Sequence, residues 1–368
     1  MKAKRFSVVA ALCGLGLSTV AVPAEASVPD AAQVLLDGME QGHAAGYPGV
    51  IGMVRDGGQE QSVHVGVGNR STNAAADPAA RFRIGSVSKS FTAATVLLLE
   101  AEGLLDLDDS VEQWLPGVVS GTGYDATQIK LRHLLNQTSG LPQYTMNIDG
   151  FLWGAEWTPQ QLVNGATKKA PIGAPGQTWH YSNANYVLAG MVIEAATGTS
   201  AAAAMQARIF TPLGLADTSL PSANTMAGAH LQGYFLTTPI TYMTVTTQKV
   251  SATWTAGAIV STLEDIATFE RALLDGTLLP PAQLAELKTT VPTDTAGTSY
   301  GLGLAKNDLG CGEAWWHNGS VPGYFTLTYA SDDGSRQVTL TANENHLLGG
   351  TPGQTHLWNG GVSAFCAL

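Results

Sequence analysis

Apolar positions recur with a period of two near both ends of the chain and with a helical period between them. PGVIGMVRDGGQEQSVHVGVGN, residues 48 to 69, holds two β-branched runs on either side of Asp56, Gly57 and Gly58, which predicts a hairpin. From Ser88 to about Gly103 the pattern becomes helical, and the Gly-Leu-Leu that follows is a helix end. Between about 104 and 290 the segments LRHLLNQ, TPQQLVNGATK, NYVLAGMVIEAATG, SAAAAMQARIF and STLEDIATFERALLDG predict helices joined by loops. The period of two returns in EAWWHNG, YFTLTYA and RQVTLTAN, residues 313 to 343, with turns at Gly323 and at Asp332, Asp333 and Gly334. A last helix is expected near 354 to 366. Strands at both ends with helices between them imply one sheet assembled from the two termini, and an all-helical insertion at roughly 104–290 covering one end of it. There is no internal repeat, low-complexity tract or heptad pattern.

The first 26 residues change how the chain is divided. Lys2, Lys4 and Arg5 precede an apolar run from Val8 to Val22, and Ala24 and Ala26 precede Ser27, the arrangement of a secretory signal peptide cut after Ala26. Gly14, Gly16, Ser18 and Thr19 dilute a run already short for a membrane span. Leu12 before Cys13 is too large for a lipidation site. The expected product is a secreted, extracellular domain, residues 27–368, with no stable membrane anchor.

The chain has 368 residues, 45% of them hydrophobic and 13% charged, enough to build a large core. Its formal charge is −11, and without residues 1–26 it carries 15 basic against 28 acidic residues. So acidic a surface argues against nucleic acid and anionic lipid as partners. Two cysteines remain, Cys311 and Cys366, an even number that in a secreted chain is expected to be bridged, the alternative being two buried free thiols. No cofactor or metal is expected, since the eight His show neither an HExxH helix nor a Cys cluster.

Candidate chemistry centres on FRIGSVSKSF, residues 82 to 91. On a helix Ser86 and Lys89 face the same way, so the amine can reach the hydroxyl and serve as its base. The helix N-terminus offers backbone N–H groups and positive potential to an oxyanion. Ser-x-x-Lys alone is a weak signal, because a first-turn Lys is commonly just solvated. Two further stretches strengthen it: Tyr181, Ser182 and Asn183 open a helix in HYSNANYVLAGM, and His317, Asn318 and Gly319 close a strand in WWHNGSVPGYF. Each has a plain structural reading, a helix cap for the first and a second His-x-Gly at His64 for the other. Their order, Ser-x-x-Lys then Tyr-x-Asn then basic-x-Gly, forms a jointly specific set. A rival nucleophile elbow, Gly297-Thr298-Ser299-Tyr300-Gly301, lacks the strand before and helix after that such an elbow requires, and a loop-to-strand turn accounts for both glycines.

With these residues the chain resembles the serine penicillin-recognising hydrolases: class C β-lactamases, D-alanyl-D-alanine carboxypeptidases and related esterases. It resembles most the secreted actinobacterial carboxypeptidases. The similarity runs from PGVIGMVRDG through LLDLDDSVEQWLPG, LRHLLNQTSGLP, APGQTWHYSNANYVLAGMVIE and YGLGL to SAFC. It implies a β-lactamase/transpeptidase-like α+β fold, an α/β sandwich in which helices flank an antiparallel sheet. It also implies an acyl-enzyme on Ser86, with Lys89 and Tyr181 moving the protons and His317 supporting Tyr181 and the substrate by charge or hydrogen bonding. Asn183, Asn318, Gly319, Ser320 and Trp254 would bind substrate, and the N–H groups of Ser86 and Ser320 would form the oxyanion hole.

Two departures bear on the substrate. Asn318 stands where relatives have Thr or Ser, and Ala305 stands where carboxypeptidases can carry an Arg that clamps the substrate carboxylate. Protonated His317 and Lys306 are the candidate cations to replace it, although strand alternation turns Lys306 away from the Ala305 face. The reading is a D-alanyl-D-alanine carboxypeptidase acting on peptidoglycan-type peptides and acylated by β-lactams, expected to be a monomer. The alternatives are a class C-like β-lactamase, a short-chain esterase or amidase, or a penicillin-binding protein without turnover.

Overall fold

The structure is a computed structural model, and residues 27–144, 150, 154–238, 241–345 and 352–368 are described. The segment 1–26 read as a signal peptide lies outside them. The hairpin of β1 (Gly49–Asp56) and β2 (Gln59–Asn69) turns at Gly57, whose φ of +57° suits glycine. β1 then pairs antiparallel with β13 (Arg336–Ala342), from Val50 opposite Ala342 to Asp56 opposite Arg336. β12 (Tyr324–Ala330), β11 (Glu313–Val321), β10 (Ala305–Asp308), β9 (Thr298–Tyr300) and β8 (Val291–Pro292) continue the sheet. β3 (Ala74–Ala75) closes its other edge. Among the described residues this sheet has nine strands, in the order β3-β2-β1-β13-β12-β11-β10-β9-β8. Both termini build it, as the period-two segments imply.

The sheet separates two cores. On one face the terminal helices Val28–Ala44 and Pro352–Cys366 cross, burying Leu35, Met39, Leu357 and Phe365 against Val50, Phe325 and Leu340. They approach at a glycine pair: a Cβ on Gly38 would sit 2.6 Å from the Cα of Gly360. The first of these helices was not among the expected elements, although Ser27 caps it and its buried positions Val28, Ala31, Ala32, Leu35 and Met39 keep a helical spacing. The Cys311–Cys366 disulfide, with Cα atoms 5.5 Å apart, ties the C-terminal helix to the β10–β11 turn. Closing a loop of 55 residues is worth about 4 kcal/mol in the chain-entropy account.

On the other face lies the helix Ser88–Ala101, buried on nearly all sides, with Phe91 stacked on Phe269 of the Leu263–Leu274 helix at 3.6 Å. Its buried hydroxyls are spent on neighbours: Thr92 Oγ1 donates to the Thr255 carbonyl and Ser90 Oγ to that of Gly303. The region 104–290 is not all-helical, as the sequence pattern suggested. It contains a hairpin, β5 (Tyr234–Thr238) with β6 (Thr241–Thr244), and the strand β7 (Val260–Ser261), which pairs with β4 (Phe82–Arg83). The β-branched FLTTPITYMT run carries its own strand preference, and the β4–β7 pair is made by a long-range partner that no local pattern reveals.

One buried group strains this core. Glu270 is 1% exposed, neither of its oxygens makes a hydrogen bond of normal geometry, and the Thr328 hydroxyl beside it is engaged by the His317 carbonyl. Burial pushes its carboxyl from 4.5 up to about 7. The folded state therefore keeps a proton that the unfolded state releases between pH 4.5 and 7, so stability is lost as pH rises through that window, by roughly 3 kcal/mol. Glu270→Gln should remove this slope. Its stability advantage over the parent, read from denaturant midpoints, should be larger at pH 8 than at pH 5, and an equal difference at both would refute the assignment.

Candidate active site

Ser86 is positioned by two glycines. Gly85, at φ +55°, turns the chain out of β4 into a single 3₁₀ turn, Gly85–Val87, that leads into the Ser88–Ala101 helix. β11 crosses this turn at contact distance. A Cβ on Gly85 would lie 2.6 Å from Ser320 N, and one on Gly319 would lie 1.9 Å from the Ile84 carbonyl oxygen. Only glycine at both positions allows the backbones to meet, which brings the Ser320 N–H beside Ser86. The N–H groups of Ser86 and Ser320 can thus share one oxyanion. The Ser320 hydroxyl is itself occupied, accepting from Asn345 Nδ2 at 2.6 Å.

Lys89 lies one turn on, with no solvent exposure. Its Nζ is 2.9 Å from Ser86 Oγ, 2.7 Å from Asn183 Oδ1 and 2.7 Å from the Ala256 carbonyl oxygen. Burial holds its pKa well below the ordinary lysine value. A neutral amine has two hydrogens and one lone pair. Asn183 and Ala256 are pure acceptors at these atoms and take the hydrogens, which leaves the lone pair facing the Ser86 hydroxyl.

Tyr181 and Asn183 flank Ser182, which caps the helix Asn183–Thr197. A loop after the Leu131–Leu135 helix holds this segment. Gln137, at φ +65°, accepts from Ser182 N at 3.0 Å and from Asn185 Nδ2 at 2.6 Å, while Ser182 Oγ donates to the Pro142 carbonyl. Burial raises the Tyr181 pKa, only partly offset by the nearby Ser86 hydroxyl, so the phenol stays protonated at neutral pH. Lys89 Nζ is 4.8 Å from its ring centre.

Of the two roles expected of His317, charge or hydrogen bonding, its surroundings favour the second. It is 3% exposed, and burial together with nearby Lys89 pushes its pKa down to about 3. Nδ1 donates to the Asn318 carbonyl at 2.6 Å, which leaves Nε2 to accept from the Tyr300 hydroxyl at 3.1 Å. Its ring stands 6.3 Å from that of Tyr181, and its direct partner is Tyr300. GTSYG therefore contributes a tyrosine, not a serine: Ser299 sits in β9 with only a 3.5 Å contact to the Lys306 carbonyl.

Beside Tyr181 and His317 opens a cavity of about 340 Å³ whose wall includes Asn318, Tyr300, Ala305 and Trp316. None of its described lining residues is charged, given a neutral His317. Lys306 faces away, 2.6 Å from Glu313 Oε2. Neither candidate cation is thus available to a carboxylate here. Trp254 is not on this wall. It lines a second cavity with Trp157 and Glu194, at a backbone φ of +40°. The residues missed from sequence, Gln137, Asn185, Tyr300 and the Ala256 carbonyl, act through the named ones. No local pattern singled them out: Gln137 follows Asn136 and precedes Thr138 and Ser139, and Asn185 comes two residues after Asn183.

A hydroxyl with a buried amine as its base, a protonated phenol and two convergent backbone N–H groups define a serine hydrolase. The beta-lactamase family model matches residues 36–358. A D-stereospecific amidohydrolase from Streptomyces sp. superposes with a TM-score of 0.82 at 36% identity, covering 90% of this chain and 98% of that one. D-Amino acid amidase from Ochrobactrum anthropi SV3, solved with L-phenylalanine amide, gives 0.80 at 27% identity over 91% and 98%. Penicillin-binding protein 4* of Bacillus subtilis is 28% identical over 287 residues, 72% of this chain but only 60% of its own length. The chain belongs to the beta-lactamase family.

Proposed function

We propose that the chain is a serine amidohydrolase that forms an acyl-enzyme on Ser86 and cleaves amide bonds of D-configured substrates without requiring a free carboxylate. Lys89 takes the Ser86 proton as Oγ bonds to the carbonyl carbon, and the two N–H groups hold the oxyanion. Tyr181 passes its proton to the leaving nitrogen as the C–N bond breaks and regains one from the Lys89 ammonium. Neutral Lys89 then takes a proton from water, whose oxygen bonds to the acyl carbon as the bond to Ser86 Oγ breaks, and that proton returns to Oγ as the acid is released. The uncharged cavity wall at Ala305 carries the choice of amide over acid, and the likeness to the Streptomyces amidohydrolase supports the D-configuration. Asn183 and Asn318 are the proposed side-chain contacts to the substrate.

A D-alanyl-D-alanine carboxypeptidase is the second reading, favoured by the penicillin-binding relative. A carboxylate held only by neutral donors gives up charge-assisted hydrogen bonds worth about 1.5 to 3 kcal/mol each. Rates on a peptide ending in D-Ala-D-Ala and on its C-terminal amide should therefore agree within about tenfold. A preference for the free acid above about 1000-fold, roughly 4 kcal/mol, would restore the carboxypeptidase. D-Phenylalanine amide, a chromogenic cephalosporin and a short-chain ester, assayed alongside, separate amidase from β-lactamase and esterase. We further propose export with loss of residues 1–26 and pairing of Cys311 with Cys366. Intact mass of the secreted, unreduced protein with and without alkylation tests both.

A further inference from the structure

The cavity beside Tyr181 has a wall that comes from outside the catalytic motifs. Trp358, on the C-terminal helix, meets Trp316 of β11 edge to face at 5.1 Å, and both line it. Across the cavity Trp179 lies 5.9 Å from the ring of Tyr300 and 6.4 Å from that of Tyr181. Polar lining is confined to neutral groups such as Asn307, whose Oδ1 is already engaged by Trp316 Nε1 at 2.9 Å. The group that protonates a leaving nitrogen must touch it, so the cavity that Tyr181 lines is where the leaving group lies. Three indoles and two phenols around about 340 Å³ suit a flat apolar group.

We propose that this cavity is a leaving-group subsite for uncharged aromatic amines, and that Trp358 is its specificity-determining residue. Trp358 is held in place from outside the site. Its helix packs on the sheet through Leu357 and Phe365, and the disulfide at Cys366 fixes the helix end to the turn before β11. The substrate class is an amide or short peptide of a D-amino acid whose leaving amine carries a benzyl-sized ring and no carboxylate. The reaction is that of the preceding section: the carbonyl–nitrogen bond breaks, the ring-bearing amine departs with the proton from Tyr181, and water supplies the acid oxygen. The inference rests on that amidohydrolase reading.

The test compares two substrates with one acyl group, D-alanine benzylamide and D-alanine amide. In the ratio of their kcat/KM values for parent and variant, intrinsic reactivity cancels. Trp358→Ala should lower the benzylamide-to-amide ratio about 10- to 100-fold, the worth of one aromatic contact surface, mainly through KM. Trp358→Phe should restore most of it, and Trp358→Ala should bind N-benzylacetamide more weakly when both variants are placed in a Ser86→Ala background and followed by fluorescence of the remaining indoles. An unchanged ratio, or an equal loss on both substrates that Phe does not rescue, overturns the subsite. If neither amide is hydrolysed and Ser86 is not acylated, the amidohydrolase reading fails, and the N-benzylacetamide titration still decides whether the cavity takes an aromatic group.

Discussion

Ser86→Ala should abolish covalent labelling by β-lactams and lower turnover on every substrate by roughly 10⁴- to 10⁶-fold, the loss that removal of a nucleophile produces. The size follows from how the site is built. The Ser86 hydroxyl has a base at 2.9 Å, the protonated Tyr181 phenol nearby and two backbone N–H groups beside it, and without Oγ none of these groups has anything to act on. Ser299, the sequence's other candidate, has no base: its hydroxyl meets only a backbone carbonyl within β9. Mass spectrometry of the protein after exposure to a β-lactam should place the adduct on the peptide holding Ser86. A label on Ser299, or full turnover by Ser86→Ala, would remove the assignment.

Much of this site was legible because its chemistry rests on short local motifs. Ser86 and Lys89 are placed by one helical turn, and Tyr181 and Asn183 by one N-cap, so residue spacing alone specifies their relative positions. The sheet was legible too, since its strands alternate strongly at both ends of the chain. What spacing could not show is how distant segments meet. The Ala256 carbonyl reaches Lys89 because Ile84 N donates to the Ile259 carbonyl, next to the two-residue β4–β7 pair, and nothing in either segment announces the other. Whether His317 acts by charge or by hydrogen bonding was not legible for a similar reason. Its pKa is set by burial and by Lys89, both consequences of tertiary packing, whereas the sequence shows only a basic residue before a glycine. Trp254 was expected to bind substrate but lines a different cavity, and its backbone is in the left-handed region, which a non-glycine sequence does not advertise.

Lys89→Met should lower acylation by roughly 10³-fold or more, and its stability relative to the parent should be greater at low pH than at high pH. The two halves have one cause. Burial holds the Lys89 pKa well below its ordinary value, so in the folded protein the amine is largely unprotonated where an unfolded chain would hold its proton. That makes it a base, and it also makes folding less favourable as pH falls from about 10.5 toward the depressed folded value, because over that window only the unfolded state binds the proton. Methionine fills nearly the same volume, removes the slope and forfeits the base; against this, Asn183 Oδ1 and the Ala256 carbonyl lose a donor, at about 1 to 3 kcal/mol each. The parent's acylation rate should rise with pH and level off well below 10.5, with Lys89 as the titrating group. His317→Gln should leave that limb where it is, since His317 stays neutral down to about 3. Denaturant midpoints for parent and Lys89→Met at pH 6 and pH 9 measure the stability half: the variant's advantage should shrink as pH rises. A gap that widens instead, or an acylation limb that moves with His317→Gln, would mean that Lys89 is charged in the resting site and that another group takes the Ser86 proton.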